Sequence, residues 1–175
     1  TFIHALLGLL VSEKGEIEFN GKQLNKENYT EYKSQFAVVF NEFFLFDEFY
    51  GYEDFDKQKA EKLLEMFEMK EKVEMTDQGF TTTDLSTGQR KRLAIIAAIL
   101  EEKPILVLDE WAADQDPYFR KKFYTELLPL IKDMGHSIIA VTHDDKYYSY
   151  ADKLYKMEYG RLKNVTSDVK PETKL

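Results

Sequence analysis

Leu85-Ser86-Thr87-Gly88-Gln89-Arg90-Lys91-Arg92, then Pro104-Ile105-Leu106-Val107-Leu108-Asp109-Glu110, then Asp116-Pro117: the order of these three pieces decides the fold. A polar, glycine-bearing turn opens a helix predicted over Arg90 to Glu101, and Pro104 ends it. Ser86 is a natural N-cap. The serine hydroxyl and free N–H groups of a helix N-terminus suit a phosphate. Ile105 to Leu108 is continuously apolar, the pattern of a parallel strand buried on both faces. Such a strand delivers Asp109 and Glu110 to its C-terminal edge, where open α/β sheets bind ligands. One carboxylate there can hold Mg²⁺ and its neighbour can orient a water.

Moving outward, Thr1 to Leu10 has helical spacing at Ile3, Leu6, Leu7 and Leu10, closing near Gly8 to Ser12. Glu16 to Phe19 alternates and runs into Asn20-Gly21, a two-residue hairpin signal. Asn28 to Gln35 forms a short helical turn, and Phe36 to Phe40 a second buried strand ending at Asn41-Glu42. Asp56 to Lys72 is an amphipathic helix with Ala60, Leu63, Leu64 and Phe67 inward, and Val73 to Asp84 a loop. Tyr118 to Met134 is a helix with Phe119, Phe123, Leu127, Leu130 and Ile131 inward, kinked or broken at Pro129. Ser137 to Thr142 is a third buried strand, leading to His143-Asp144-Asp145. Tyr147 to Tyr150 is a short helix, and Leu154 to Val165 a closing hairpin about Tyr159-Gly160. The polar tail, 166–175, has the composition of a disordered end. Helices alternating with buried strands make an α/β fold with a parallel sheet.

Between Phe43 and Phe55 stand seven aromatics, Phe43, Phe44, Phe46, Phe49, Tyr50, Tyr52 and Phe55, among acids. They suit either the core of a small helical lobe or a partner-docking surface. The 175 residues carry 24 basic and 32 acidic side chains, a net charge of −8, without a Lys/Arg stripe. That balance argues against sequence-independent nucleic-acid binding. No cysteine is present, so disulfides and thiolate chemistry are excluded. The longest apolar run, Leu93 to Leu100, is far below the roughly 20 residues that span a bilayer. The chain opens at Thr1-Phe2-Ile3 without methionine, as a piece of a longer protein does.

Singly, these motifs are ordinary. An acid pair often follows a strand, and Leu85 to Gln89 alone is a helix cap. In this order, with a later strand ending at His143, they resemble the nucleotide-binding domain of ABC ATPases. Leu85 to Gln89 looks like the signature motif, with Thr87-Gly88 where two glycines are usual. Ile105 to Glu110 resembles Walker B, 113–116 the D-loop and His143 the switch histidine. Asn41 falls where the Q-loop glutamine belongs. Thr1 to Leu9 matches the helix after a Walker A loop, Thr1 lying just beyond its G-K-S. Glu110-Trp111-Ala112-Ala113-Asp114-Gln115-Asp116-Pro117, with Leu85 to Arg92, narrows the resemblance to cyclic-peptide and siderophore exporters of the pyoverdine and microcin type. Common exporters carry Pro-Thr-Ser-Ala-Leu there.

The resemblance implies a P-loop NTPase, RecA-like core over 1–41 and 93–165, with a helical signature subdomain over 42–92 and a C-terminal tail over 166–175. It implies ATP and Mg²⁺ as ligands and a second nucleotide-binding domain, as a homodimer, sandwiching ATP. A transmembrane domain upstream would be the other partner, with no nucleic acid, at the cytoplasmic face of the bacterial inner membrane. Glu110 and His143 would be catalytic, and Asp109 and Asn41 would serve the metal. Ser86, Thr87, Gly88, Gln89, Asn41 and Asp116 would bind nucleotide. The competing readings are a soluble ABC ATPase of the DNA-repair or ribosome-associated kind, a non-hydrolysing regulatory module, or an inactive truncated fragment. The acid balance and the lack of a coiled-coil insertion count against the first. The presence of both Glu110 and His143 counts against the second. Without the Gly-rich loop and its lysine, these 175 residues alone are expected to bind ATP weakly or not at all. Micromolar affinity by calorimetry would contradict that expectation.

Overall fold

The computed structural model describes residues 2–10, 14–46, 48–49 and 55–168. Thr1, Ser12, Tyr50, Tyr52 and the tail beyond Asp168, all part of the expectations above, lie outside the described residues. In chain order the elements are α1 (Phe2–Leu6), β1 (Glu18–Phe19), β2 (Lys22–Gln23), α2 (Tyr29–Lys33), β3 (Phe36–Val39) and α3 (Lys57–Met66). They continue with α4 (Thr87–Leu100), β4 (Ile105–Asp109), α5 (Pro117–Lys122), α6 (Leu128–Asp133), β5 (Ser137–Val141), β6 (Tyr155–Glu158) and β7 (Arg161–Asn164). Tight 3₁₀ turns cover Trp111–Asp114 and Asp145–Tyr150.

Strands β3, β4 and β5 form a parallel sheet in that order, with β4 in the middle. Alternation along β4 sends Leu106 and Leu108 into one core, with α3, α4 and Trp111. It sends Ile105 and Val107 into the other, with α1, Tyr32 and Phe36. The sheet is therefore covered on both faces, and an unbroken apolar run is what that environment selects. β5 differs from the expectation of a third buried strand. Like β3 it pairs on one side only, but whereas β3 is buried its own residues are half-buried or exposed.

Helix α4 is buried nearly all round, through Leu93, Ile95, Ile96, Ala98, Ile99 and Leu100. That placement makes Lys91, fully buried on the same helix, the anomaly of the core. Trp111 is the hub on the other side, its ring 4.1 Å from that of Phe123 at a tilt of 35° and flanked by Phe67 and Phe119. Two-residue turns with positive φ close both hairpins, at Asn20-Gly21 and Tyr159-Gly160, as the twist of paired strands requires.

Two helices depart from expectation. α3 stops at Met66 rather than Lys72, because Glu68 enters the left-handed region (φ 59) and Met69 N–H bonds back to Leu64. The helix containing Pro129 neither breaks nor stops. A π-helical turn over Phe123–Leu127 joins α5 to α6, with Leu128 N–H donating five residues back to Phe123. The wider turn takes up the missing N–H and the bulk of the proline ring one turn later. Leu130, expected inward, is exposed.

Candidate functional site

The register that places Asp109 beside Val141 brings the residues following β4 and β5 together at the same edge of the sheet. Glu110 N–H donates to the Val141 carbonyl at 3.0 Å. Glu110 itself is left-handed (φ 49), a conformation costing an L-residue roughly 1–2 kcal/mol. This turn points its carboxylate at the next strand, where Oε1 lies 3.1 Å from His143 Nε2. The pair borders a cleft of about 150 Å³ lined by Glu110, Ala113, Arg120, Thr142, His143 and Asp144. His143 stands largely in solvent, so the pair is open to a ligand and adds little to stability.

Beneath the cleft, Asp144 accepts from Arg120 (3.3 Å) and from the Tyr124 hydroxyl (3.1 Å), which also meets Thr142 Oγ1 at 2.7 Å. Burial pushes the Tyr124 phenol up, so it stays a protonated donor. The other end of Arg120 donates to the carbonyls of Ala113 (2.8 Å) and Gln115 (3.2 Å). One arginine thus ties the turn after β4 to the turn after β5.

At the N-terminus of α4, Ser86 and Gln89 form a capping box, each side chain bonded to the other's backbone N–H. The first-turn N–H groups of Thr87 and Gly88 have no carbonyl within the helix to accept them. Gly88 is pressed against the turn 111–115. A Cβ there would stand 2.8 Å from the Asp114 carbonyl oxygen, and Gln115 Nε2 donates to the Gly88 carbonyl at 3.0 Å. Arg92 completes the seam, reaching Gln115 Oε1 (2.9 Å) and Asp116 Oδ2 (3.1 Å) while stacking on Phe119. Asp116 caps α5 through Phe119 N–H. That bond, with the Arg92 charge beside it, holds its carboxyl below the usual carboxylate range. Asn41, just after β3, accepts from Lys91 Nζ at 2.9 Å.

The described residues contain no cluster of three or more metal-ligating side chains. Asp109, at the tip of β4, has a carboxylate with no hydrogen-bond or ion-pair partner among the described residues. A single free carboxylate does not hold a cation alone. It suits Mg²⁺, a hard ion that arrives on substrate phosphates and takes one or two protein oxygens.

Residues 1–113 match the sequence profile of the family described as ABC transporter. The chain belongs to the ABC transporter family. It is 38% identical over 174 residues to the "ATP-binding protein SyrD" of Pseudomonas syringae pv. syringae, covering 97% of this chain and 30% of that protein. It is 29% identical to the "ATP-dependent lipid A-core flippase" of Hahella chejuensis, covering 95% of this chain and 30% of that one. The chain therefore spans about a third of the length of these relatives. Among solved structures, a bacterial Atm1-family ABC exporter with ATP bound shares the fold at TM-score 0.77 and 15% identity, over 95% of this chain and 32% of that one. The cbiO1 protein of Clostridium perfringens, part of the ABC transporter complex cbiONQ, matches at TM-score 0.70 and 24% identity, over 92% and 69%. No described helix of this ABC transporter chain is long and apolar enough to cross a membrane.

Of the residues picked out in the sequence, Asp109, Glu110 and His143 share one sheet edge. Ser86, Thr87, Gly88, Gln89 and Asp116 lie together on the seam between α4 and the turn after β4. Asn41 joins this seam through Lys91. Sequence reading missed Lys91, Arg92, Gln115, Arg120, Tyr124 and Asp144. The signal for Lys91 and Arg92 was present, since two cations one turn inside an apolar helix need partners.

Proposed function

We propose that this chain is the ATP-binding and ATP-hydrolysing domain of an exporter of peptide- or siderophore-like molecules, working as an ATP-sandwich homodimer beneath a membrane domain. Membership of the ABC transporter family and the similarity to the ATP-binding protein SyrD support the ATPase half of this reading, and the similarity to the flippase supports the export half. Its place would be the cytoplasmic face of the bacterial inner membrane. The core would comprise 1–41 and 93–165, and 42–92 would be the signature lobe.

The observation that carries the reading is the Glu110–His143 contact of 3.1 Å across the ends of adjacent parallel strands. There Glu110 takes a proton from the attacking water, and His143 donates to the γ-phosphate as charge builds on it. Ser86 and the N–H groups of Thr87 and Gly88, with Gln89 locking the cap, hold the γ-phosphate of the nucleotide bound by the second copy. Asp116 fixes the D-loop at that boundary. Bound Mg²⁺ would neutralise phosphate charge, with Asp109 and Asn41 as the residues to hold it. The Asn41 Oδ1 that accepts from Lys91 keeps a second lone pair for this. Turnover of ATP by the full-length protein, wild type against Glu110→Gln, tests the reading, and equal rates overturn it.

The aromatic stretch divides. Phe49 is buried against Phe55 and Phe80, whereas Phe44 and Phe46, paired at 4.7 Å, are 78% and 54% exposed. The exposed pair is where the membrane domain docks. Anchors of this kind contribute roughly 2 kcal/mol or more to an interface, about 30-fold in affinity. Phe44→Ala with Phe46→Ala should therefore abolish most transport while basal hydrolysis stays within about twofold. Loss of folding, read by melting, would show instead that the pair is core.

A further inference from the structure

Lys91 is a fully buried ammonium whose charge meets acceptors on two segments of the chain, Asn41 after β3 and the turn after β4. Its Nζ donates to Asn41 Oδ1 at 2.9 Å and lies 2.6 Å from Asp114 Oδ2 and 3.4 Å from the Glu110 carbonyl oxygen. The ammonium donates to Asn41 and to the Glu110 carbonyl, and the Asp114 carboxylate is its charge partner. On the other side, Trp111 Nε1 donates to the Lys91 carbonyl at 2.7 Å. The residue is thus fixed at both its backbone and its tip.

We propose that Lys91 is a positioning residue for hydrolysis, whose clasp on Asn41, Asp114 and the Glu110 carbonyl holds the Glu110 carboxylate toward His143. This rests on the reading of the chain as an ATP hydrolase. Glu110 occupies a left-handed conformation that an L-residue resists. Its carbonyl is held by Ala113 N–H (3.2 Å) and by Lys91, and its N–H by Val141. Without the ammonium, one of these restraints is lost, and the turn 111–115 loses its ion pair to the helix behind it. The residue can then relax toward right-handed φ, which swings the carboxylate off the β5 side.

The same helix that starts with the Ser86 cap carries Lys91 one turn further in. A shift of that helix start is passed to the Glu110 carbonyl directly by the Lys91 side chain. Asp114 and Asn41 move with it, so the nucleotide-facing turns respond together.

A merely structural role predicts something else. Removing one partner of an ion pair is costly when the other charge is left buried, but the Asp114 side chain is 44% exposed and takes water in place of the ammonium. Lys91→Met in the full-length protein should therefore melt near wild type, yet lower kcat about tenfold or more with KM for ATP within about twofold. In the nucleotide-free protein, amides of 111–115 should exchange with solvent faster, a readout independent of turnover. Asp114→Ala, at a side chain 44% exposed, should shift kcat and exchange in the same direction by less. Combined with Lys91→Met it should add little, because both remove one clasp. Unchanged kcat and exchange in Lys91→Met overturn the proposal, as does a rise in KM alone. Should Lys91→Met not fold, an Asp114→Ala protein with wild-type kcat and exchange overturns it equally. A wild-type protein that fails to hydrolyse ATP overturns the proposed function instead, and the exchange comparison still decides the clasp.

Discussion

Glu110→Gln should lower ATP turnover about 10²- to 10⁴-fold while ATP affinity stays within about twofold, the loss expected when a general base is removed. The substitution is close to isosteric. Glutamine keeps an oxygen or an amide where Oε1 meets His143 Nε2 at 3.1 Å, so the contact and the left-handed turn survive. What disappears is the capacity to accept a proton from water. The defect should therefore lie in kcat, with nucleotide retained on the protein, as filter binding with labelled ATP would show after a single turnover. A variant that turned over at the wild-type rate would sink the assignment of Glu110 as base. A variant that released ATP would place Glu110 in ground-state binding.

The placement of Glu110 at the end of a central strand was legible in the sequence because each element around it leaves a local mark. A run of four apolar residues ending in two acids is a central parallel strand with its cargo, and β4 is that strand. Ser86 with Gln89 three residues later is a capping box in sequence and in space. The hairpins at Asn20-Gly21 and Tyr159-Gly160 follow from residues that accept positive φ. What escaped depends on partners distant in sequence. Nothing near Glu68 announces a left-handed helix end without glycine, and nothing near Phe123 announces a π turn that accommodates Pro129. Burial of β5 could not be judged from its own residues, because cover by other segments decides it: β3 is equally apolar and equally at the side of the sheet, and is buried. The network that braces the site was invisible for the same reason. Lys91 pairs with Asn41 fifty residues away, and Arg120 with Asp144 twenty-four away. Spacing along one helix can show that a cation is misplaced, but only the fold names its acceptor.

Gly88→Ala should cost about 10²-fold in kcat and roughly 1–3 kcal/mol in stability, although it adds one methyl group. Gly88 has an ordinary helical backbone, so the reason for glycine is the close approach of another segment. The new Cβ would meet the Asp114 carbonyl oxygen at 2.8 Å, and that atom is backbone, so no side-chain rotation relieves the contact. Either the start of α4 or the turn 111–115 must move. If the helix start moves, the capping box opens and the phosphate-facing N–H groups shift. If the turn moves, Gln115 loses the Gly88 carbonyl, and the Lys91–Asp114 and Arg92–Gln115 contacts lengthen together. Both routes reach Glu110, one through the cap and one through the clasp, so the expected loss of activity exceeds what the lost stability accounts for. Turnover and urea unfolding of the full-length variant measured side by side decide the matter. A loss of stability with kcat preserved would show that the seam between α4 and the turn supports the fold without setting the chemistry.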